Sequence, residues 1–256
     1  MDEHDRVTRS RLALACRLWR RIRGNNGSNN GANLEEQDHD NQEAEGAAHV
    51  GRIRAWRTEW SSRPGNLPRM LLLVRHGQTA ANADGLLLGR ADPPLSNLGR
   101  EQAAALAAHV PPGARIIASP LRRARETADA FGAAFEIDER WIELDYGDLD
   151  GMPLRDVPAD LWTQWRADVD FVPPRGESLA ALGARVRIAC DELLAEIRDR
   201  DVVVVSHVSP IKAALAWALS AGDETAWHLF VEVASIARIG ADRFGTSVRS
   251  LNEKAP

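Results

Sequence analysis

The chain has 256 residues, 44% apolar and 27% charged, with a formal net charge of −5. That length suits one globular domain with some excess, and the acidic balance argues against nucleic-acid binding. No apolar run reaches the roughly 18 to 20 residues a membrane helix needs. The two cysteines, Cys16 and Cys190, form no metal-binding pair and no disulfide framework, so the chain reads as a soluble, cytoplasmic protein.

Residues 1–69 differ from the rest. "RVTRSRLALACRLWRRIR", starting at Arg6, carries an apolar stripe of Val7, Leu12, Leu14, Leu18 and Ile22 among arginines. This is the pattern of a basic amphipathic helix for a membrane surface or an anionic partner. Its apolar core is too short for a signal peptide. "GNNGSNNGAN" and "LEEQDHDNQEAEG" are turn formers and carboxylates with almost nothing to bury, which predicts disorder. "IRAWRTEW" predicts a short helix ended by Pro64, Gly65 and Pro68. Met70 then opens the first strand directly. Residues 1–69 thus read as a disordered tail, or as an over-extended reading frame whose true start is Met70, and 70–256 as the working domain.

From Met70 the pattern is regular. "MLLLV" predicts a short strand buried on both faces. "SNLGREQAAALAAHV" predicts a helix capped by Ser96, with Leu98, Ala105, Leu106 and Val110 as its apolar side. "ARIIAS" is a second strand. "PLRRARETADAFG" is a second helix, with proline in its first turn and Gly132 at its end. "FEIDE" predicts an edge strand, and residues 141–175 read as irregular around a helix at "DLWTQWRAD". A long helix over 177–198 buries Leu179, Leu182, Val186, Ala189, Leu193 and Ile197. "DVVVVSH" is another apolar strand, followed by the helix "SPIKAALAWALSA". Two strands, "FVEVASIARIG" and "RFGTSVRSLN", close the chain. Strands alternating with helices indicate an α/β three-layer domain.

Two of these strands share a form: "LLLV-RHG" and "VVVVS-H" each run straight into a histidine. Ligands of open α/β sheets bind at the carboxyl ends of strands, so His76 and His207 are placed to meet. His109 and His228 lie in or near helical patterns and read as surface or satisfied histidines. A metal site is disfavoured, because Arg75 precedes His76 and neither HExxH nor CxxC occurs. Guanidinium beside imidazole suits an oxyanion, whose geometry the planar fork of arginine matches. Arg122 and Arg123 open a helix after a strand, where helix geometry already favours anions.

"RHGQTAAN", "GRADPPLSNLG", "SPLRRARETA", "ELDYGDLDG", "GES" and "VVSH" stand in this order between Met70 and Asn252. With these motifs the chain resembles the histidine phosphatase superfamily, the phosphoglycerate mutase-like proteins. The resemblance implies a three-layer α/β/α sandwich with a mostly parallel central sheet. It also implies a metal-independent phosphomonoesterase of the histidine acid type, needing no cofactor and acting on small phosphorylated metabolites through phosphohistidine. His76 would be the nucleophile, Arg75 and Arg123 the phosphate-binding arginines, and His207 a second imidazole against the phosphoryl oxygens. Arg122 takes the variable place beside Arg123. Asn82 is either a further phosphoryl contact or a polar cap of a short helix. Gly77 permits close backbone approach just past the nucleophile.

Glu143, four residues before Gly147, would protonate the leaving oxygen and then activate water. Asp145 and Asp148 are its local rivals. Glu177 reads mainly as helix-start chemistry. Trp162, Trp165 and Arg166 fall in a segment that would cap the pocket, where they either pack the cap or set substrate preference. The alternative reading is a phosphoglycerate mutase. Against it, the segment after Glu143 is short and lacks the lysines and arginines a second phosphate needs. A non-catalytic anion-binding domain would have lost one of these positions, and all are present. The expected partner is a small phosphate ester, with no nucleic acid and no membrane unless the arginine-rich start engages one. The chain is expected to be a monomer or homodimer.

Overall fold

The computed structural model of the protein describes residues 69–254, and the readings made for the segment before Arg69 lie outside the described residues. Six strands form one sheet: β1 (Met70–Arg75), β2 (Arg115–Ala118), β3 (Glu136–Ile137), β4 (Val202–Ser206), β5 (Ile236–Asp242) and β6 (Gly245–Glu253). Their order is β3-β2-β4-β1-β5-β6. The first four are mutually parallel, while β5 runs antiparallel to both β1 and β6. The predicted edge strand at "FEIDE" is present as two residues, exposed at the parallel edge.

The unbroken apolar runs of β1 and β4 follow from burial on both faces. Leu71 and Leu73 of β1 enter one core with Val202 and Val204 of β4, while Leu72 and Val74 enter the other with Val203 and Val205. Alternate residues of a strand point to opposite faces, so a doubly covered strand must be apolar throughout. The first core is closed by helices α5 (Leu179–Glu196) and α6 (Val208–Ala218). The second is closed by α2 (Asn97–Leu106) and α3 (Arg122–Asp129). The protein is therefore a three-layer α/β/α sandwich with a mixed, mostly parallel sheet. Two shorter helices, α1 (Ala80–Ala83) and α4 (Ala159–Ala167), lie outside these layers in sequence. Among the described residues no helix is long and apolar enough to cross a membrane.

Local details correct several expectations. Ser96 does cap α2, accepting from Gly99 N at 3.0 Å. Leu98, however, is 48% exposed, and Gly99, Ala103 and Leu106 form the buried side. Gly99 is there for contact: a Cβ on it would stand 2.0 Å from Gln78 O, and one on Gly77 would stand 2.3 Å from Gly99 O. The close backbone approach that Gly77 allows is thus made by the first turn of α2, which seats the segment after His76. Pro120 lies ahead of α3, whose N-cap is Leu121. The α5 stripe is buried as predicted, but Ser178 caps the helix, with Glu177 just outside it. β5 starts at Ile236, later than the apolar run beginning at Phe230, because Val233 to Ser235 turn the chain towards the site.

Candidate active site

β1 and β4 are adjacent, parallel and in register, with Arg75 opposite Ser206. The next residue of each strand is a histidine, and His76 N donates to Ser206 O at 3.1 Å. Register alone brings the two imidazoles together, with ring centroids 5.0 Å apart. Both rings are buried.

The hydrogen bonds assign the tautomers. His76 Nδ1 lies 2.7 Å from Gly77 O, which can only accept, so Nδ1 carries the proton and Nε2 keeps its lone pair. His207 Nδ1 accepts from Arg123 Nε at 3.1 Å, so its Nε2 donates to Ser119 Oγ at 2.6 Å. Arg123 Nε also reaches His76 Nε2 at 3.2 Å. One N–H thus faces two imidazole lone pairs. The Arg123 side chain is fully buried, and its Nη1 and Nη2 donate to Ala91 O at 2.7 Å and Gly89 O at 2.8 Å.

Burial is the main cause that holds the His76 imidazole well below its usual pKa, followed by the charges of Arg123 and Arg75. The bond to Gly77 O opposes them. His207 is lowered likewise, by burial first and then by Arg123. Both rings are therefore neutral at neutral pH, as a lone-pair nucleophile must be. The consequence for stability has a definite sign. Below about pH 6.5 an unfolded histidine takes up a proton that these folded sites refuse. The unfolded state then binds more protons, so stability is full above that pH and is lost as pH falls below it. The loss is up to about 1.4 kcal/mol per pH unit for each ring. Denaturant unfolding at about pH 7.5 and about pH 5.5 should show it, and equal stability at the two would contradict these shifts.

A cavity of about 300 Å³ opens at this strand end, bordered by Arg75, His76, Asn82, Glu143 and Ser209. Arg75 Nη1 donates to Val231 O at 2.7 Å, and its Nε is buried with no hydrogen-bond partner among the described residues. A buried donor without a partner is destabilising unless a ligand satisfies it. Glu143 is 2% exposed. Its Oε1 accepts from Leu144 N at 2.7 Å and from Ser209 N at 3.2 Å, in the first turn of α6. Its Oε2 is left for the cavity. The rivals are used elsewhere: Asp145 Oδ1 accepts from Gly147 N at 2.9 Å, and Asp148 pairs with Arg175. Asn82 completes a capping box at α1, whose N-cap is Thr79: Thr79 N and Thr79 Oγ1 donate to its Oδ1 at 3.1 and 3.0 Å. It also borders the cavity, with Nδ2 as the group available there.

Arg122 turns outward onto Glu126. Trp165 is packed in the core and stacks on Trp162, while Arg166 lies over the Trp227 ring. Trp162 and Trp165 nonetheless border the cavity, so packing and lining are combined. Glu177 acts through Arg185, to which it bonds at 2.9 and 3.0 Å, while Arg185 Nη2 donates to Glu143 O at 3.3 Å. His228 is exposed and His109 half-buried, and neither borders the cavity.

Three residues at or near the site have no role that the sequence assigns: Ser119 and Asp150, which lie inside the family motifs, and Lys212. Asp150 accepts from Gly89 N and Ala91 N, both at 2.8 Å. It therefore clamps the loop whose two carbonyls hold Arg123. Asp150→Ala should destabilise the fold by about 1–3 kcal/mol and lower turnover through a loosened Arg123. Urea unfolding and kcat measured together check it, and an unchanged kcat would deny the link. The family motifs "GRADPPLSNLG" and "ELDYGDLDG" contain the loop and Asp150 respectively, but neither motif marked that one clamps the other.

The fold is that of a phosphoglycerate mutase-like α/β protein, with imidazole and guanidinium groups clustered at the strand ends. Residues 71–254 match the sequence model of the histidine phosphatase superfamily (branch 1). The chain belongs to that superfamily of enzymes. It is 34% identical over 206 residues to a bifunctional protein of Mycobacterium tuberculosis, covering 76% of this chain and 56% of the relative. The chain thus spans little more than half the length of that relative. It is 37% identical over 170 residues to the glucosyl-3-phosphoglycerate phosphatase of the same organism, covering 59% of this chain and 75% of the relative. The solved structure of a mycobacterial glucosyl-3-phosphoglycerate phosphatase complexed with VO3 aligns with a TM-score of 0.65 and 32% identity. That alignment covers 73% of this chain and all of the other. Among the described residues no group of three or more His, Cys, Asp or Glu side chains is placed to hold a metal ion.

Proposed function

We propose that the domain beginning at Met70 is a metal-independent phosphomonoesterase that passes the phosphoryl group through His76 to water. The observation that carries this reading is the neutral His76 Nε2, held by the bond from Nδ1 to Gly77 O and faced by buried guanidinium. The Nε2 lone pair attacks phosphorus while the ester P–O bond breaks, and the leaving oxygen takes a proton from Glu143. Arg75 and Asn82 Nδ2, which border the cavity, meet the phosphoryl oxygens, and the buried charge of Arg123 behind His76 helps stabilise charge that grows on them. His207, expected as a direct phosphoryl contact, has its Nδ1 taken by Arg123 and its Nε2 proton by Ser119, so its part is to hold Arg123 in place. Glu143, now a carboxylate, removes a proton from water. The water oxygen bonds to phosphorus, and the N–P electron pair returns to His76.

The substrate is a small phosphate ester, by similarity to relatives such as the glucosyl-3-phosphoglycerate phosphatases. Hydrolysis is favoured over a mutase reaction by the cavity walls. Beyond the phosphoryl end they are mostly leucine, tryptophan and phenylalanine, with Lys212 as the added cation. The cytoplasm is the proposed compartment. A screen of phosphate esters, with trapping of an acid-labile phosphoenzyme, tests the reading. Isomerisation of 3-phosphoglycerate outpacing its hydrolysis would reverse it in favour of the mutase.

A further inference from the structure

Lys212 lies on α6 one turn beyond Val208 and Ser209, and all three border the same cavity as His76 and Glu143. It is half-buried, yet it makes no hydrogen bond and no ion pair among the described residues. Around it the cavity wall is apolar, with Leu154, Trp227 and Phe230 among the lining side chains. Burial disfavours its charge, and the attraction of Glu143 only partly offsets this. Glu143 makes no ion pair with it, and the Glu143 Oε1 is held by Leu144 N and Ser209 N. An ammonium in partly apolar surroundings without a counter-charge is costly unless a ligand supplies one.

Resting on the phosphatase reading above, we propose that Lys212 receives a carboxylate of the substrate, so that the site selects phosphomonoesters bearing a second, singly charged acid. The phosphoryl end already has its own cations in Arg75 and Arg123, so Lys212 is surplus to one phosphate. A second phosphate would call for a comparable set of donors, and Lys212 stands among apolar walls. One ammonium matches one carboxylate. Phe230, 70% exposed, and Leu154, 46% exposed, border the same cavity and give the body of such an ester an apolar surface to lie on.

The test is calorimetric binding of matched, non-hydrolysable phosphonates to the full chain. 2-Amino-4-phosphonobutanoate differs from 3-aminopropylphosphonate by its carboxylate. The wild type should bind the former about 10- to 100-fold more tightly, the worth of a charge-assisted hydrogen bond. Lys212→Met should remove most of that preference and Lys212→Arg should keep it. Equal binding by the wild type, or a preference that survives in Lys212→Met, overturns the proposal. Tighter binding of propane-1,3-bisphosphonate than of the carboxylate also overturns it, in favour of a second phosphate subsite. Failure of every phosphonate to bind counts against both readings. Hydrolysis retained by His76→Ala would remove the phosphatase mechanism and leave the carboxylate preference standing.

Discussion

His76→Ala should lower kcat for phosphomonoester hydrolysis by on the order of 10⁴- to 10⁶-fold, the scale seen when a nucleophile is deleted. It should also abolish any acid-labile phosphoenzyme. The expectation rests on chemistry that no neighbour can replace. His207 presents Nδ1 to the same Arg123 N–H, but its Nε2 proton is committed to Ser119 Oγ, and it does not border the cavity that His76 borders. The deleted side chain gives up two hydrogen bonds, one to Gly77 O and one from Arg123 Nε; Arg123 keeps His207, Ala91 and Gly89 as partners, so the variant should fold, which circular dichroism and a melting curve will show. Residual hydrolysis within about a hundredfold of wild type would mean that the phosphoryl group goes directly to water, assisted by the arginines alone.

Glu143→Gln should separate substrates by their leaving groups. The amide oxygen can still accept from Leu144 N and Ser209 N, the two bonds that fix Glu143 Oε1. Only the acid at Oε2 is lost. An alkyl phosphate must then expel an unprotonated alkoxide, and its turnover should fall about 10²- to 10⁴-fold, the usual worth of general acid–base catalysis. p-Nitrophenyl phosphate needs no such help, so its first step should be nearly spared. The second step, which needs Glu143 as base, should not. A burst of nitrophenolate with accumulating phosphoenzyme is the expected signature. Equal losses on both esters, without a burst, would assign the proton to another group.

Much of this was legible from residue order. The runs Leu71–Val74 and Val202–Val205 announced doubly covered strands, and the histidine after each announced that two imidazoles meet at the strand ends, because these signals are local. What stayed hidden depends on contacts between distant segments. Asp150 looks like any turn carboxylate until the loop at Gly89 and Ala91 folds against it. Lys212 looks like a solvated helix residue until the cavity forms over its helix. Leu98 failed in the other direction: it fits the apolar stripe of α2, but glycine contact with Gln78 decides which side of that helix faces inward. Asn82 shows that capping a helix and bordering the cavity need not be rivals, since one amide offers both an acceptor and donors.

The parallel pairing of β1 with β4 also governs when activity can appear during folding. Met70 and Asp201, which meet at the start of that pairing, are 131 residues apart in the chain. Bringing such distant segments together carries a loop-closure cost, so contacts of this range form late relative to local helices. A chain that has its helices but not its central sheet has two separated histidines and no shared guanidinium between them. Recovery of enzymatic activity after denaturant dilution therefore clocks completion of the sheet centre, and should lag the return of helical ellipticity.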